Sequence, residues 1–485
     1  MVDTSNTIGV GGFQYTDEQV TGDINEYNPF EVPVLYKRDY KPTELIVYPT
    51  SDSAGKFGQP YEFKVEQNPY LWTNLQKIRI GGQIRIQNKT TNEPIVTDEA
   101  KSEFEDFGPI NNYKQAIWSK IICKIQGCEI SDPSADPYPW KSYLETLLNY
   151  TSEYKHTVLK SGSGWVEEEA NDGDKLSCLE KKGNVSNKDY NSALKARRVG
   201  IMTGRWEEFD VLMHSDVITA EKPLPPGYTI EFKMTRMSNE FLLIQPKTNQ
   251  NKYEVELQDV HLVIERIQKP DSQLQAYNLR KNSSMARIAL TRNFIKTYPV
   301  QKGQTDLCVY NLIVSDKLPE TVIVWIVPQT AYNGSTDTNP FNFKTLAVQN
   351  CCLLVNNELE PTQPHSNLVE DLRRNRLYNN FLDNIGSSQR DSICCSITPD
   401  KYYNGYHMFG KLFSKVCKQS LMTFSFSAFD RTKTNRKKRY QMDNGTLGVL
   451  LRLKKELTEN MQVIVYCTYS SEIILKGSEV ITHTF

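Results

Sequence analysis

The stretch TVIVWIVPQTAYNGSTDTNPFNFKTLAV, Thr321 to Val348, decides how the chain is read. Val322 to Val327 is apolar at every position; Pro328 then stops the run, and Asn333, Gly334, Asn339 and Pro340 open a polar loop. The run is too short to cross a membrane, which takes about 20 residues. An ordinary half-exposed strand would alternate apolar and polar residues. The run therefore reads as a strand covered on both faces. In the loop that follows, Asn333-Gly334 makes a turn, and Phe341 and Phe343 anchor to the body of the protein.

The chain on either side is rich in strands. In KIRIGGQIRIQN, Ile78, Ile80, Ile84 and Ile86 alternate with Arg79 and Arg85, and Gly81-Gly82 predicts a bend or bulge. Phe209, Val211 and Met213 alternate with Asp210 and His214, and Ile230, Phe232 and Met234 with Glu231 and Lys233. SLMTFSFSAFD at 420–430 reads as a further strand, and Leu447, Val449, Leu451 and Leu453 mark another. Helical spacing is rarer. Trp140, Tyr143, Leu144, Leu147 and Leu148 share one helical face behind Pro139. Asn367 with Glu370 resembles a cap for a helix carrying Leu368, Leu372 and Leu377.

A short helix and linker at 270–287 divides two strand-rich blocks, 43–269 and 288–485, behind a polar arm at 1–42. The arm reads equally as a segment ordered by neighbours and as an inconsequential terminus. The hairpin from 208–218 into YTIEFKMTRMSNEFLLI echoes the later one from GTLGVLLRLKKEL into MQVIVYCTYSSEIILK. That echo predicts two β-sandwiches of related design.

Composition excludes several classes. Over 485 residues, 57 Lys and Arg balance 58 Asp and Glu for a formal charge of -1, unlike a chain devoted to nucleic acid. No apolar run is long enough to span a membrane, and the N-terminal residues lack the pattern of a signal peptide. The ten Cys read as intracellular thiols, so the Asn-X-Ser/Thr sites are expected to go unused.

No motif supports catalysis. Glu167 to Glu169 with Asp172 and Asp174 is the densest acidic run, but its Gly-, Asn- and Lys-rich setting at 161–195 reads as a solvated loop rather than a glycosidase cleft. Cys123 and Cys128, Cys351-Cys352 and Cys394-Cys395 lack the paired spacing of a zinc site. His214 and His261 fall on apparent outer strand faces and read as surface residues. RTKTNRKKRY at 431–440 reads as a basic loop tip, with contact to DNA or an acidic partner as its functional alternative. No phosphate-binding glycine loop is present, and no catalytic, cofactor-binding or metal-ligating residue is assigned.

DPYPWKSYLETLLNYTSEYKHTVL, AYNGSTDTNPFNFKTLAV, DKYYNGYHMF and GTLGVLLRLKKELTENMQVIVYC resemble, in that order, segments of the hexon-like major capsid proteins of Polinton/Maverick elements and adintoviruses. The resemblance runs from about residue 120 to the last residue. It implies an all-β double jelly roll: two antiparallel eight-stranded sandwiches with a few short helices in loops. It also implies a homotrimer forming a pseudo-hexagonal capsomer in an icosahedral virion around double-stranded DNA. Neighbouring capsomers, penton and minor capsid proteins would be the partners, with at most local DNA contact, no cofactor and no enzymatic activity. A carbohydrate-binding or glycosidase-like sandwich is the rival reading, a single-jelly-roll minor capsid protein another, and a coat gene carried by a transposable element a third.

Overall fold

Every residue of the strand Thr321–Pro328 is buried. The computed structural model describes residues 41–50, 59–95, 105–131, 138–182, 184–201, 204–249, 251–309, 318–368, 374–384, 396–412 and 445–484. The first sandwich is built from β1 (Lys41–Val47), β2 (Tyr61–Val65), β3 (Leu71–Asn88), β4 (Trp118–Ile125), β5 (Cys128–Glu129), β6 (Glu207–Leu212), β7 (Ile230–Arg236) and β8 (Tyr253–Gln268). One sheet runs β1-β8-β3-β6 and the other β2-β7-β4-β5. The second sandwich uses β9 (Ala286–Val300), β10 (Asp306–Val309), β11 (Thr321–Pro328), β12 (Val348–Val355), β13 (Glu358–His365), β14 (Met408–Leu412), β15 (Leu447–Leu453) and β16 (Met461–Lys476). Its sheets run β9-β16-β11-β14 and β10-β15-β12-β13, and β17 (Glu479–Thr484) folds back onto β16. The two halves thus have one strand order, the second repeating the first with eight added to each number. This is the double jelly roll: apart from the hairpins β4-β5, β12-β13 and β16-β17, strands adjacent in space are distant in sequence, and the ladders are antiparallel.

Alternation explains most of these strands. β2 and β7 bury every second residue, so Phe63, Phe232 and Met234 enter the core while Glu62, Lys64, Glu231 and Lys233 meet water. β11 departs from that rule because it is covered twice. Val322, Val324 and Ile326 pair with Cys467, Val465 and Val463 of β16. Ile326 lines a small apolar cavity with Leu307 and Leu451 of the opposite sheet, so this side is the sandwich interior. Ile323 and Trp325 pair with Tyr466 and Ile464 on the other side, which the first sandwich covers. Pro42–Phe485 accordingly forms one compact unit rather than two separable ones.

The helices lie in connections. They are α1 (Tyr138–Asn149), α2 (Ser192–Ile201), α3 (Asp271–Arg280) and α4 (Arg374–Asn384), with shorter turns such as Gln329–Asn333. α1 buries Trp140, Tyr143, Leu144, Leu147 and Leu148, the face its spacing predicts. α3 connects the sandwiches and buries no residue. Gly334, at φ 90, makes the predicted turn after β11, a conformation that glycine tolerates without a Cβ penalty.

Two expectations need correction. The irregularity at Gly81-Gly82 lies on the partner strand: the ladder shifts between Gln258 and His261 of β8, where Asp259 has φ 53. The glycines instead make room, since a Cβ on Gly81 would lie 2.5 Å from His261 Nε2 and one on Gly82 3.0 Å from the Phe209 ring. Asn367 accepts from the Val348 N–H at 2.8 Å and donates to Leu346 O at 2.6 Å, fixing the start of β12; Glu370, the other half of the expected cap, lies outside the described residues. Finally, the internal echo was read one strand out of step. β6 and β7 were matched to β15 and β16, whereas the sheet orders make β7 the counterpart of β15 and β8 that of β16. Each of these strand pairs crosses between the two sheets of its sandwich rather than forming a hairpin, and strands of similar length share a period, so pattern alone cannot fix which strand answers which. The expected strand at 420–430 and the basic run at 431–440 lie outside the described residues.

Candidate assembly surfaces

α1 carries the first sandwich onto the second. Trp140 and Tyr143 stand three residues apart on its buried face and receive the loop that follows β11. The Tyr143 and Phe341 rings stack at 4.0 Å, Trp140 meets Phe341 edge-on at 5.4 Å, and Phe343 lies 5.4 Å from Trp325. Phe341 and Phe343 are both buried, as anchoring residues should be.

The opposite flank of α1 is polar. Glu145 Oε2 lies 2.6 Å from His214 Nδ1, and Glu145 Oε1 accepts from Asn293 Nδ2 at 3.1 Å and from the Tyr466 hydroxyl at 3.3 Å. Lys141, one turn earlier, pairs with Asp216, whose other contact is the backbone N–H of Asn293 at 3.3 Å. Burial alone would favour neutral Lys141, but the carboxylates of Asp216 and Glu145 outweigh it and raise its pKa. These groups come from α1, from the segment after β6, and from β9 and β16. His214 is therefore not the surface residue its strand pattern predicts: it is buried, because the chain turns inward after β6. His261, by contrast, keeps partial exposure over Gly81.

Sequence reading missed Lys141, Glu145, Asp216, Asn293 and Tyr466. The available signal was the i,i+4 pair Lys141 and Glu145 flanking an apolar helical face. Both oxygens of the Glu145 carboxylate have protein partners, from the first sandwich and from the second, so the cluster aligns the sandwiches.

The acidic run is only in part the solvated loop expected: Glu169 and Asp174 are exposed, whereas the rest is held by the fold. Glu168 is buried against Arg197 of α2 at 2.8 Å. Asp172 is buried and pairs with Lys175, while Asp174 accepts from Asn342 of the second sandwich at 2.8 Å and pairs with Lys344. Glu167 and Glu169 both approach Lys401, at 3.6 and 3.4 Å. A carboxylate far in sequence from its cation looks solvated, and only the fold brings the two together. The run's five carboxylates are thus divided among four cations, Glu167 and Glu169 sharing Lys401. Cys351 and Cys352 are buried among apolar neighbours, and the cysteines among the described residues are free thiols. Among the described residues no group of His, Cys, Asp or Glu could hold a metal ion, and no helix is long and apolar enough to cross a membrane.

β9 is an edge strand, and its outer edge is closed from within the chain. Glu221 N donates to Ala289 O at 2.9 Å, Thr291 N donates to Thr219 Oγ1 at 2.8 Å, and the Thr219 hydroxyl donates to Thr291 O at 3.0 Å. β1, its counterpart, is also terminal in its sheet, and among the described residues no strand pairs with its outer edge. Ile46 and Tyr48 stand beside that edge, more than half exposed. The outward face of the sheet is charged: Arg79 bridges Glu44 at 2.8 Å and Asp210 at 3.1 Å, and Arg85 pairs with Glu256 at 2.6 Å.

No family model matches the chain. A Caenorhabditis elegans protein described as "Uncharacterized protein F54H12.2" is 20% identical over 375 residues, covering 74% of this chain and 81% of that protein. Among solved structures, a chain of the Sputnik virophage is similar with a TM-score of 0.57 at 10% identity, over 95% of this chain and 91% of that one. The Faustovirus major capsid protein gives 0.52 at 9% identity, over 94% of both chains. A chain of the PBCV-1 virus capsid gives 0.52 at 8% identity, over 93% and 98%. The chain therefore has the double jelly-roll fold found in viral major capsid proteins.

Proposed function

We propose that the protein is a major capsid protein of the Polinton/Maverick and adintovirus type, a structural component rather than an enzyme. The observation that carries the reading is likeness along the whole length, both sandwiches and their connection included, to a Faustovirus protein that is itself a major capsid protein. The repeated sheet order supports a trimer in which six similar sandwiches make a pseudo-hexagonal block that tiles an icosahedral shell around double-stranded DNA. Residues 1–42 would be an arm, 43–269 and 288–485 the two jelly rolls, and 270–287 their linker. Neighbouring capsomers, penton and minor capsid proteins would be the partners in a virion assembled inside the host cell. The similarity to a nematode protein favours a coat gene resident in animal genomes.

Light scattering on the purified chain tests this. The expected mass is three times the 55.8 kDa chain, independent of concentration. A stable monomer at every concentration would remove the capsomer reading.

A further inference from the structure

We propose that Lys141 and Asp216 condense into an intramolecular amide, with Glu145 carrying protons between them. The three side chains meet away from water: that of Lys141 is 12% exposed, Asp216 3% and Glu145 2%. Lys141 Nζ donates to Asp216 Oδ1 and lies 4.0 Å from Glu145 Oε1. An amine and a carboxyl held together in this way react as parts of one molecule, at an effective concentration of about 10⁵ M or more. Glu145 cannot turn aside, because His214 holds one of its oxygens while Asn293 and the Tyr466 hydroxyl hold the other.

Condensation needs a protonated carboxyl and a neutral amine, and the surroundings favour both. Burial raises the Asp216 carboxyl above its usual range; Lys141 and Arg292 oppose that rise and Glu145 adds to it. Lys141 keeps its ammonium through the two carboxylates, so a proton on Asp216 removes one of them and burial then favours the amine. Glu145 takes a proton from the ammonium, and the freed Nζ lone pair attacks Cγ of protonated Asp216. The developing negative charge falls on Oδ1, which accepts from the Asn293 N–H at 3.3 Å. Glu145 gives its proton to Oδ2 and takes a second one from the nitrogen. The Cγ–Oδ2 bond breaks and Oδ2 leaves as water. The products are one amide, one water and protonated Glu145, formed without oxidant or activated co-reactant. The amide fastens α1, which carries the first sandwich onto the second, to the segment that closes the outer edge of β9.

Mass spectrometry of the denatured, reduced full chain tests this, whatever its oligomeric state. The wild type should be one water molecule lighter than its sequence requires, and a protease map should contain a branched peptide joining Lys141 to Asp216. Lys141→Arg keeps a cation but offers no amine nucleophile, so it should have the full mass of its own sequence. Glu145→Gln should also stay at full mass over the time in which the wild type reacts. A wild type at full mass, or a missing water that maps to other residues, would overturn the amide. Equal water loss in Glu145→Gln would rule out Glu145 as the proton carrier. If either variant fails to fold, the branched peptide of the wild type, present or absent, decides.

Discussion

Tyr143 of α1 and Phe341 of the loop after β11 stack with 3° between their ring planes, although they belong to different sandwiches. The contact belongs to the one apolar core that runs from the first sandwich into the second. Replacing Phe341 by Ala removes a buried ring from that space and should cost about 3 to 5 kcal/mol. Urea unfolding followed by tryptophan fluorescence measures this, and a loss below about 1 kcal/mol would show that the sandwiches adhere by other means.

Lys141→Met should be similarly damaging, by about 3 to 5 kcal/mol, because it leaves the carboxylates of Asp216 and Glu145 buried without their cation. The pair Lys141→Met with Asp216→Leu should be milder than the single change. A double variant as unstable as the sum of its parts would contradict the account.

The two adjacent glycines of β3 make a paired comparison. Gly82→Ala presses a methyl group on buried Phe209 and on the backbone of Val260, and should destabilise by about 1 to 3 kcal/mol. Gly81→Ala has the ring of His261 as its nearest contact, and that side chain is partly exposed and can swing away. Thermal unfolding of both variants should place Gly82→Ala clearly lower, and the reverse order would be inconsistent with these contacts.

Alkaline pH should weaken the fold through its thiols. Burial pushes Cys178 from 9.0 up to about 11, with Arg198 opposing and Asp106 adding to the shift, and burial pushes Cys467 up to about 12. A thiol with a raised folded pKa contributes all its stability below the unfolded value, near pH 9, and loses it as pH rises through the folded one. For Cys178 the contribution is about 2 to 3 kcal/mol. Under reducing conditions the urea midpoint should fall between about pH 9 and 12, and less steeply in Cys178→Ala. A flat profile would mean that these thiols are not shielded from water.

How much of this was legible beforehand depends on the distance between partners. The alternation of Ile78 to Ile86, the helical face of α1 and the anchoring of Phe341 and Phe343 each follow from a local period, and each appears in the structure. His214, Glu168 and Asp172 were placed in water because polar residues usually lie there, yet all three are buried. The partners of His214 and Glu168 are distant in sequence: Glu145 contacts residues of both sandwiches, and Glu168 waits for Arg197. No periodicity encodes such a meeting. The echo between halves failed by one strand for a related reason, since repeated strand pairs announce duplication but not its register.

The sheet order also sets a timetable for synthesis. β8 lies between β1 and β3, and β16 between β9 and β11, yet each is translated after both of its neighbours. While the ribosome works, each sandwich holds a vacant central slot flanked by unsatisfied backbone, and the slots fill one after the other. The nascent chain is therefore most prone to aggregation twice, and a chaperone that protects it must act in two separate episodes.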